Sequence, residues 1–208
     1  MNDRGMSDEK LLKAQIVGQP GIVEIPIVDG RSKDFLNMVV LVDEDPTSFE
    51  IPIVSWPISG RRPLDPGTGS GGGVSEGWFT CKWNEGKLLA SNDAVGGEYV
   101  IGFAVGSDPD IPAAVDLWHL NYHPDGGQLF ASMDSKPFLV PVTPPGEDPN
   151  LDSAVALFCD GSYSVCLLPG VWHEGVYPIE GNGRFLTRQG RVHGRISADL
   201  SQEFGCLL

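Results

Sequence analysis

His119-Leu-Asn121-Tyr-His123-Pro-Asp-Gly-Gly-Gln128-Leu-Phe130 is followed further along by Cys166-Leu-Leu-Pro169-Gly170-Val-Trp172-His173-Glu174. Together they decide the fold. In a strand, alternate side chains share a face, so His119, Asn121 and His123 point the same way. Pro124 cannot donate to a ladder and ends that strand. Asp125-Gly-Gly127 then turns the chain, and Gln128 starts a return strand close to His123 in space. In the second stretch Pro169-Gly170 is a turn that delivers Trp172 and His173 onto another strand. Three of the four histidines of the chain lie in these two stretches.

Outward from this centre the sequence reads as short strands divided by turns. The candidates are Ile22–Val28, Met38–Val42, Ile51–Trp56, Gly77–Trp83, Lys87–Ser91 and Tyr99–Val105. Val115–His123, Gln128–Met133, Pro137–Val142, Ala154–Cys159, Ser162–Leu168, Gly175–Ile179, Phe185–Arg188 and Val192–Ala198 follow. Asn84-Glu85-Gly86 and Asp160-Gly161 carry hairpin signals, the second being the strongest in the chain. Such spacing predicts an all-β sandwich or barrel. Residues 1–13 are polar and predict a flexible N-terminus, with a short helical turn at Leu11–Ala14. Residues 14–208 predict a single domain. Glycine outnumbers proline in the stretch 60–73, which reads as a long loop and a candidate lid.

Composition narrows the function classes. The chain of 208 residues carries a formal net charge of -14. Such an acidic chain repels phosphate backbones, which argues against nucleic acid as a partner. Its apolar runs are too short to span a bilayer, which argues against a membrane partner. The first fifteen residues hold no apolar signal core, so the cytoplasm is the expected compartment. None of the cysteines Cys81, Cys159, Cys166 and Cys206 forms a C-x-x-C pair, and four in such a chain are expected to remain free.

The two stretches resemble the two motifs of the cupins. Asn121-x-His123-x4-Gln128 matches the first motif in spacing, with two altered residues. Pro169-Gly170-Val171-Trp172-His173 is similar to the second, one residue shorter. A narrower resemblance is to the ureidoglycolate lyases, also called ureidoglycolate hydrolases. It rests on His123-Pro-Asp-Gly-Gly-Gln128-Leu-Phe130, the loop Pro144-Pro145-Gly146-Glu147-Asp148-Pro149, Val171-Trp172-His173, and Phe185-Leu186-Thr187-Arg188. Order and spacing hold from about residue 115 to residue 188; the N-terminal half is only loosely similar. Two positions depart from the family. Asn121 stands where Glu is frequent, and Trp172-His173-Glu174 replaces Trp-His-His.

The resemblance implies a cupin-type double-stranded β-helix, or jelly-roll barrel, with additional N-terminal strands, and pairing into a homodimer. It implies cleavage of ureidoglycolate to glyoxylate and urea in allantoin breakdown, with a small ureido or hydroxy acid as partner. One general base and one general acid suffice, and imidazole suits both. His123 and His173 are the expected catalytic pair, with acid and base unassigned. Asn121, Gln128, Phe130, Trp172, Tyr177 and Arg188 are the expected substrate-binding residues. His119 and Glu174 are weaker candidates, and His193 is expected to be structural. Arg184, Arg188, Arg191 and Arg195 form a cluster from which one could bind a carboxylate. His123, Gln128 and His173 are the ligands if a divalent metal such as nickel, manganese or zinc is bound, although Gln is a weaker ligand than the usual Glu. Two other readings stay open: a non-catalytic small-molecule-binding cupin, and a metal-dependent isomerase or dioxygenase.

Overall fold

The protein is described by a computed structural model over residues 20–55, 62–69, 73–93, 96–106, 112–190 and 194–208. The expected frayed N-terminus and turn at Leu11–Ala14, Trp56, His193 and Arg191 lie outside the described residues, as do parts of the 60–73 loop.

Three short strands come first: β1 (Gly21–Ile22), β2 (Ile27–Asp29) and β3 (Val39–Val42). The stretch Ile22–Val28 is therefore not one strand. Pro26 lies in its break, lacking the N–H a ladder needs, though its carbonyl still accepts from Ala156 N at 2.9 Å. The described part of the Ile51–Trp56 candidate, residues 51–55, also forms no strand; Ile53 makes an isolated bridge to Gly126.

A meander follows: β4 (Ser75–Asn84), β5 (Lys87–Asn92), β6 (Glu98–Val105) and β7 (Ala114–Asp116). The β4–β5 turn is the expected hairpin. Glu85 and Gly86 both take positive φ, 50° and 75°, as a two-residue turn demands.

The remaining strands follow, and all but the last, which pairs with β1, build the barrel. They are β8 (His119–Tyr122), β9 (Gln128–Ser132), β10 (Phe138–Thr143), β11 (Val155–Cys159), β12 (Ser164–Leu167), β13 (Trp172–His173), β14 (Tyr177–Pro178), β15 (Gly183–Gln189), β16 (Ile196–Asp199) and β17 (Cys206–Leu207). A one-turn helix, Leu200–Glu203, is capped by the Asp199 side chain accepting from Gln202 N.

Two sheets face each other. One runs β16-β8-β13-β10-β11-β2, with β14 beside β10; the other runs β3-β12-β9-β15-β4-β5-β6-β7. From β8 onward the chain crosses repeatedly between them. This corrects the reading of Asp160-Gly161 as a hairpin turn. β11 pairs with β10 and β2, whereas β12 pairs with β3 and β9 in the opposite sheet. The dipeptide is a corner: Gly161 has φ 83°, and a Cβ there would stand 2.5 Å from backbone atoms of Ser135. The Pro124–Gly127 and Glu180–Asn182 turns are corners of the same kind. This alternation makes the molecule an all-β, cupin-like jelly roll. The additional N-terminal strands are present as β2 and β3 at the sheet edges.

Apolar side chains fill the space between the sheets. Phe79 meets Phe130 edge to face at 5.5 Å, and Phe138 meets Phe185 likewise at 5.2 Å. Leu88, Ile101, Leu120, Leu157 and Leu167 are fully buried around them. All four cysteines are buried and free. Among the described residues no helix is long and apolar enough to cross a membrane.

Candidate active site

Polar side chains gather at one end of this core. They line a cavity with Phe79, Asn92, Tyr99, Asn121, His123, Gln128, Phe130, His173, Glu174, Gly175, Gln189 and Arg195 at its wall. Each is placed by local rules. On β8 the period of two turns Asn121 inward with His119, and His123 follows where Pro124 ends the strand. β9 opens on Gln128 from the opposite sheet, and Phe130 follows on the same face. β13 lies against β8 with His173 opposite Asn121, and the Asn121 amide donates to His173 O at 3.2 Å.

The centre of the site is Gln128 between two imidazoles. His123 Nε2 lies 2.8 Å and His173 Nε2 3.0 Å from the amide Oε1. The ring centroids are 5.3 Å apart. Each ring's Nδ1 faces a backbone carbonyl at 2.8 Å, Gly194 O for His123 and Val171 O for His173. A carbonyl only accepts, so in the neutral rings the proton sits on Nδ1 and the Nε2 lone pairs point into the cavity.

Burial keeps both rings neutral. It lowers the His123 pKa, with partial opposition from Gly194 O and Gln128. Burial, reinforced by the neighbouring His123, pushes His173 down to about 3. Two lone pairs aimed at one amide require a donor or a cation between them. The amide NH2 of Gln128 supplies the donor when it turns inward. Its oxygen then faces the Thr187 hydroxyl at 3.3 Å, which can donate, and the Gln189 amide at 3.2 Å, which donates once it is turned over in the same way.

Glu174 brings a buried carboxylate to the same wall. Its Oε1 accepts from Gly175 N at 2.9 Å, and its Oε2 pairs with His119 Nδ1. Burial alone would raise its pKa. The His119 ring, the Gly175 N–H and the Arg195 charge more than offset this and hold it below the usual carboxylate range. Arg195, just before β16, adds a cation, with its Nε donating to Asp65 Oδ2 at 2.6 Å. The cavity measures about 20 Å³. That is room for little more than a single water, which needs roughly 10–15 Å³ on this measure.

The structure thus brings His123, His173, Gln128, Asn121 and Phe130 together and leaves three expected site residues elsewhere. Trp172 alternates with His173 and is buried on the side away from the cavity, where its indole N–H donates to Gly146 O at 3.0 Å and Tyr122 packs edge to face on it. Tyr177 sits on β14 with its hydroxyl donating to Ile101 O at 2.5 Å, beside a separate apolar cleft. Arg188 projects from the outer face of β15 and donates to Pro46 O and Phe49 O at 2.9 and 2.6 Å.

Among the basic residues weighed for a carboxylate, Arg195 lines the cavity in place of Arg188. Gln189 was missed, although counting by twos from Phe185 through Thr187 leads to it. Glu174 escapes the alternation because the ladder ends at His173, so two consecutive residues face inward. Asn92 and Tyr99 come from the meander, and nothing local in the sequence ties them to the histidines.

The sequence pattern of the family described as ureidoglycolate lyase matches residues 80–202. A ureidoglycolate lyase of Pseudomonas savastanoi pv. phaseolicola (strain 1448A / Race 6) is 34% identical over 77 residues, 37% of this chain and 45% of that protein. The ureidoglycolate lyase of Azotobacter vinelandii (strain DJ / ATCC BAA-1303) is 32% identical over 77 residues, 37% and 46% of the two chains. That of Pseudomonas putida (strain F1) is 36% identical over 78 residues, 38% and 46%. The aligned stretch spans less than half the length of these curated relatives.

Proposed function

The chain belongs to the ureidoglycolate lyase family, and from that premise we propose that it cleaves the C–N bond of ureidoglycolate, giving glyoxylate and urea. The reaction is a carbon–nitrogen (amidine-type) lyase step of allantoin and purine breakdown, run in the cytoplasm by a homodimer of single-domain barrels. The observation that carries this reading is the convergence of His123, His173 and Gln128, within 3.0 Å contacts, on one cavity inside the barrel.

The chemistry asks for few groups. The substrate hydroxyl loses its proton, its carbon becomes a carbonyl, and the C–N bond breaks with its electron pair going to nitrogen. That nitrogen takes a proton and urea leaves. The inward Nε2 lone pairs of His123 and His173 suit the basic half of this exchange. Asn121 and Gln128 offer amide groups to the ureido and hydroxyl functions, and Phe130 and Phe79 form the apolar wall.

The same three residues fit a divalent cation such as nickel, manganese or zinc. Both imidazoles have Nδ1 fixed by a backbone carbonyl, the support that metal-bound histidines usually have. Bound there, the cation would make the substrate hydroxyl more acidic. His123, His173 and the amide oxygen of Gln128 would hold it.

Purified protein supplied with ureidoglycolate, with and without nickel or manganese, should release glyoxylate and urea in equal amounts and no ammonia. Ammonia release instead would assign a hydrolase. His123→Ala and His173→Ala should each lower turnover by roughly 10²–10⁴-fold while the far-UV dichroism is unchanged. Turnover indifferent to both substitutions would remove these residues from the mechanism.

A further inference from the structure

A turn from the 60–73 stretch rests on the segment that carries Arg195. Asp65-Pro66-Gly67-Thr68 closes with Thr68 N donating to Asp65 O at 3.2 Å. Proline presets the first central position, and glycine at φ 80° supplies the second, the arrangement of a type II turn. This turn clasps the barrel around one residue. Asp65 N donates to Arg195 O at 2.7 Å, and Arg195 N donates to Thr68 Oγ1 at 3.1 Å. Ser197 Oγ donates to Asp65 Oδ2 at 2.5 Å, the oxygen that also accepts from Arg195 Nε. Arg62 roots the turn. It donates to Asp148 Oδ1 at 2.8 Å and to Ser197 O at 3.1 Å and pairs with Glu203.

Two facts bear on what this clasp does. The cavity of about 20 Å³ is too small for a ureido acid as it stands. In a chain of formal charge -14, an anionic ligand must also find a local cation. Among the described wall residues Arg195 is the permanent one, and a carboxylate already sits on it.

We infer that Arg195 receives the carboxylate of the substrate and that the Asp65 carboxylate holds its place until a ligand carboxylate displaces it. This deepens the lyase reading and rests on its assignment of the cavity as the substrate site. Arg195 is then a binding residue that selects for anionic ligands, and Asp65 is a competitor built into the chain. Removing the competitor raises the fraction of protein in which Arg195 is free to meet a carboxylate, and with it the apparent affinity for anionic ligands alone.

Calorimetry with glycolate as a carboxylate probe and urea as a neutral one tests this without turnover. Asp65→Asn should bind glycolate about tenfold more tightly than the parent, the scale of one charge-assisted hydrogen bond. Arg195→Gln should bind it at least about tenfold more weakly. Urea binding should be the same in all three. Ser197→Ala removes one donor to Asp65 without touching Arg195 and should tighten glycolate binding by a smaller factor; it serves if Asp65→Asn does not fold. Equal glycolate affinity in the parent and the folded Asp65 or Ser197 variant overturns the inference. So does undiminished binding by Arg195→Gln, or no measurable binding by any form. Because only binding is read, a protein that binds as expected yet does not cleave ureidoglycolate sinks the lyase reading alone.

Discussion

His173 shows how much the site depends on its residues staying uncharged. An unfolded histidine titrates near 6.5, while burial and the adjacent His123 hold folded His173 down to about 3. The folded state therefore binds fewer protons than the unfolded state below pH 6.5. Stability present above that pH is lost as pH falls from 6.5 towards about 3, and His123, lowered in the same direction, adds to the loss. Each ring contributes at most about 1.4 kcal/mol per pH unit. Glu174 acts lower down: its folded pKa is depressed, so its contribution disappears only as pH drops through the carboxylate range. Urea unfolding in the presence of a chelator should show a clearly lower midpoint at pH 5 than at pH 7. His173→Gln should make that difference smaller. Equal midpoints at both pH values in the parent would contradict the burial of neutral rings.

The corners matter as much as the strands. Gln128 reaches the histidines only because Gly126 and Gly127 let the chain cross between sheets with almost no room to spare. A Cβ on Gly126 would stand 2.2 Å from Gly190 Cα, and this is backbone against backbone, with no side chain to swing away. Gly126→Ala should cost about 1–3 kcal/mol in chemical denaturation, the range for overpacking a tight site. It should also weaken ligand binding by moving Gln128. Stability equal to the parent would mean that the corner can spread.

The same corners mark what could be read beforehand. The run His119-x-Asn121-x-His123 was legible, because alternation within one strand is a local property. The Asn84-Glu85-Gly86 hairpin was legible for the same reason. Asp160-Gly161 was misread, because a dipeptide with positive φ suits both a hairpin and a crossover, and the partner of β12 is decided by distant β3 and β9. Arg188 and Arg195 looked alike for a related reason. Which of the two faces the cavity depends on the register of β15 and on how the chain enters β16.

For the whole molecule, the sheet edges raise the question of assembly. β2 and β3 end one side of each sheet, and Ile27 on β2 is 63% exposed. An unpaired edge carrying an apolar side chain is a surface that a second copy can cover. Sedimentation at micromolar concentration should therefore give a dimer. A monomer throughout would leave the barrel intact and remove the homodimer from the proposed function.

The crossing of the chain between sheets has a consequence in time. Neighbours in sequence are seldom neighbours in a ladder beyond the β4–β7 meander, so little of the barrel can form as local pieces. Architectures dominated by distant pairings fold in milliseconds to seconds rather than microseconds. During synthesis the early strands must wait. β9 has no link to β4 until β15 inserts between them, and the carbonyl of Gly194 and the side chain of Arg195 come later still. The histidines are made before it closes, and the pocket they face is among the last parts of the molecule to come into being.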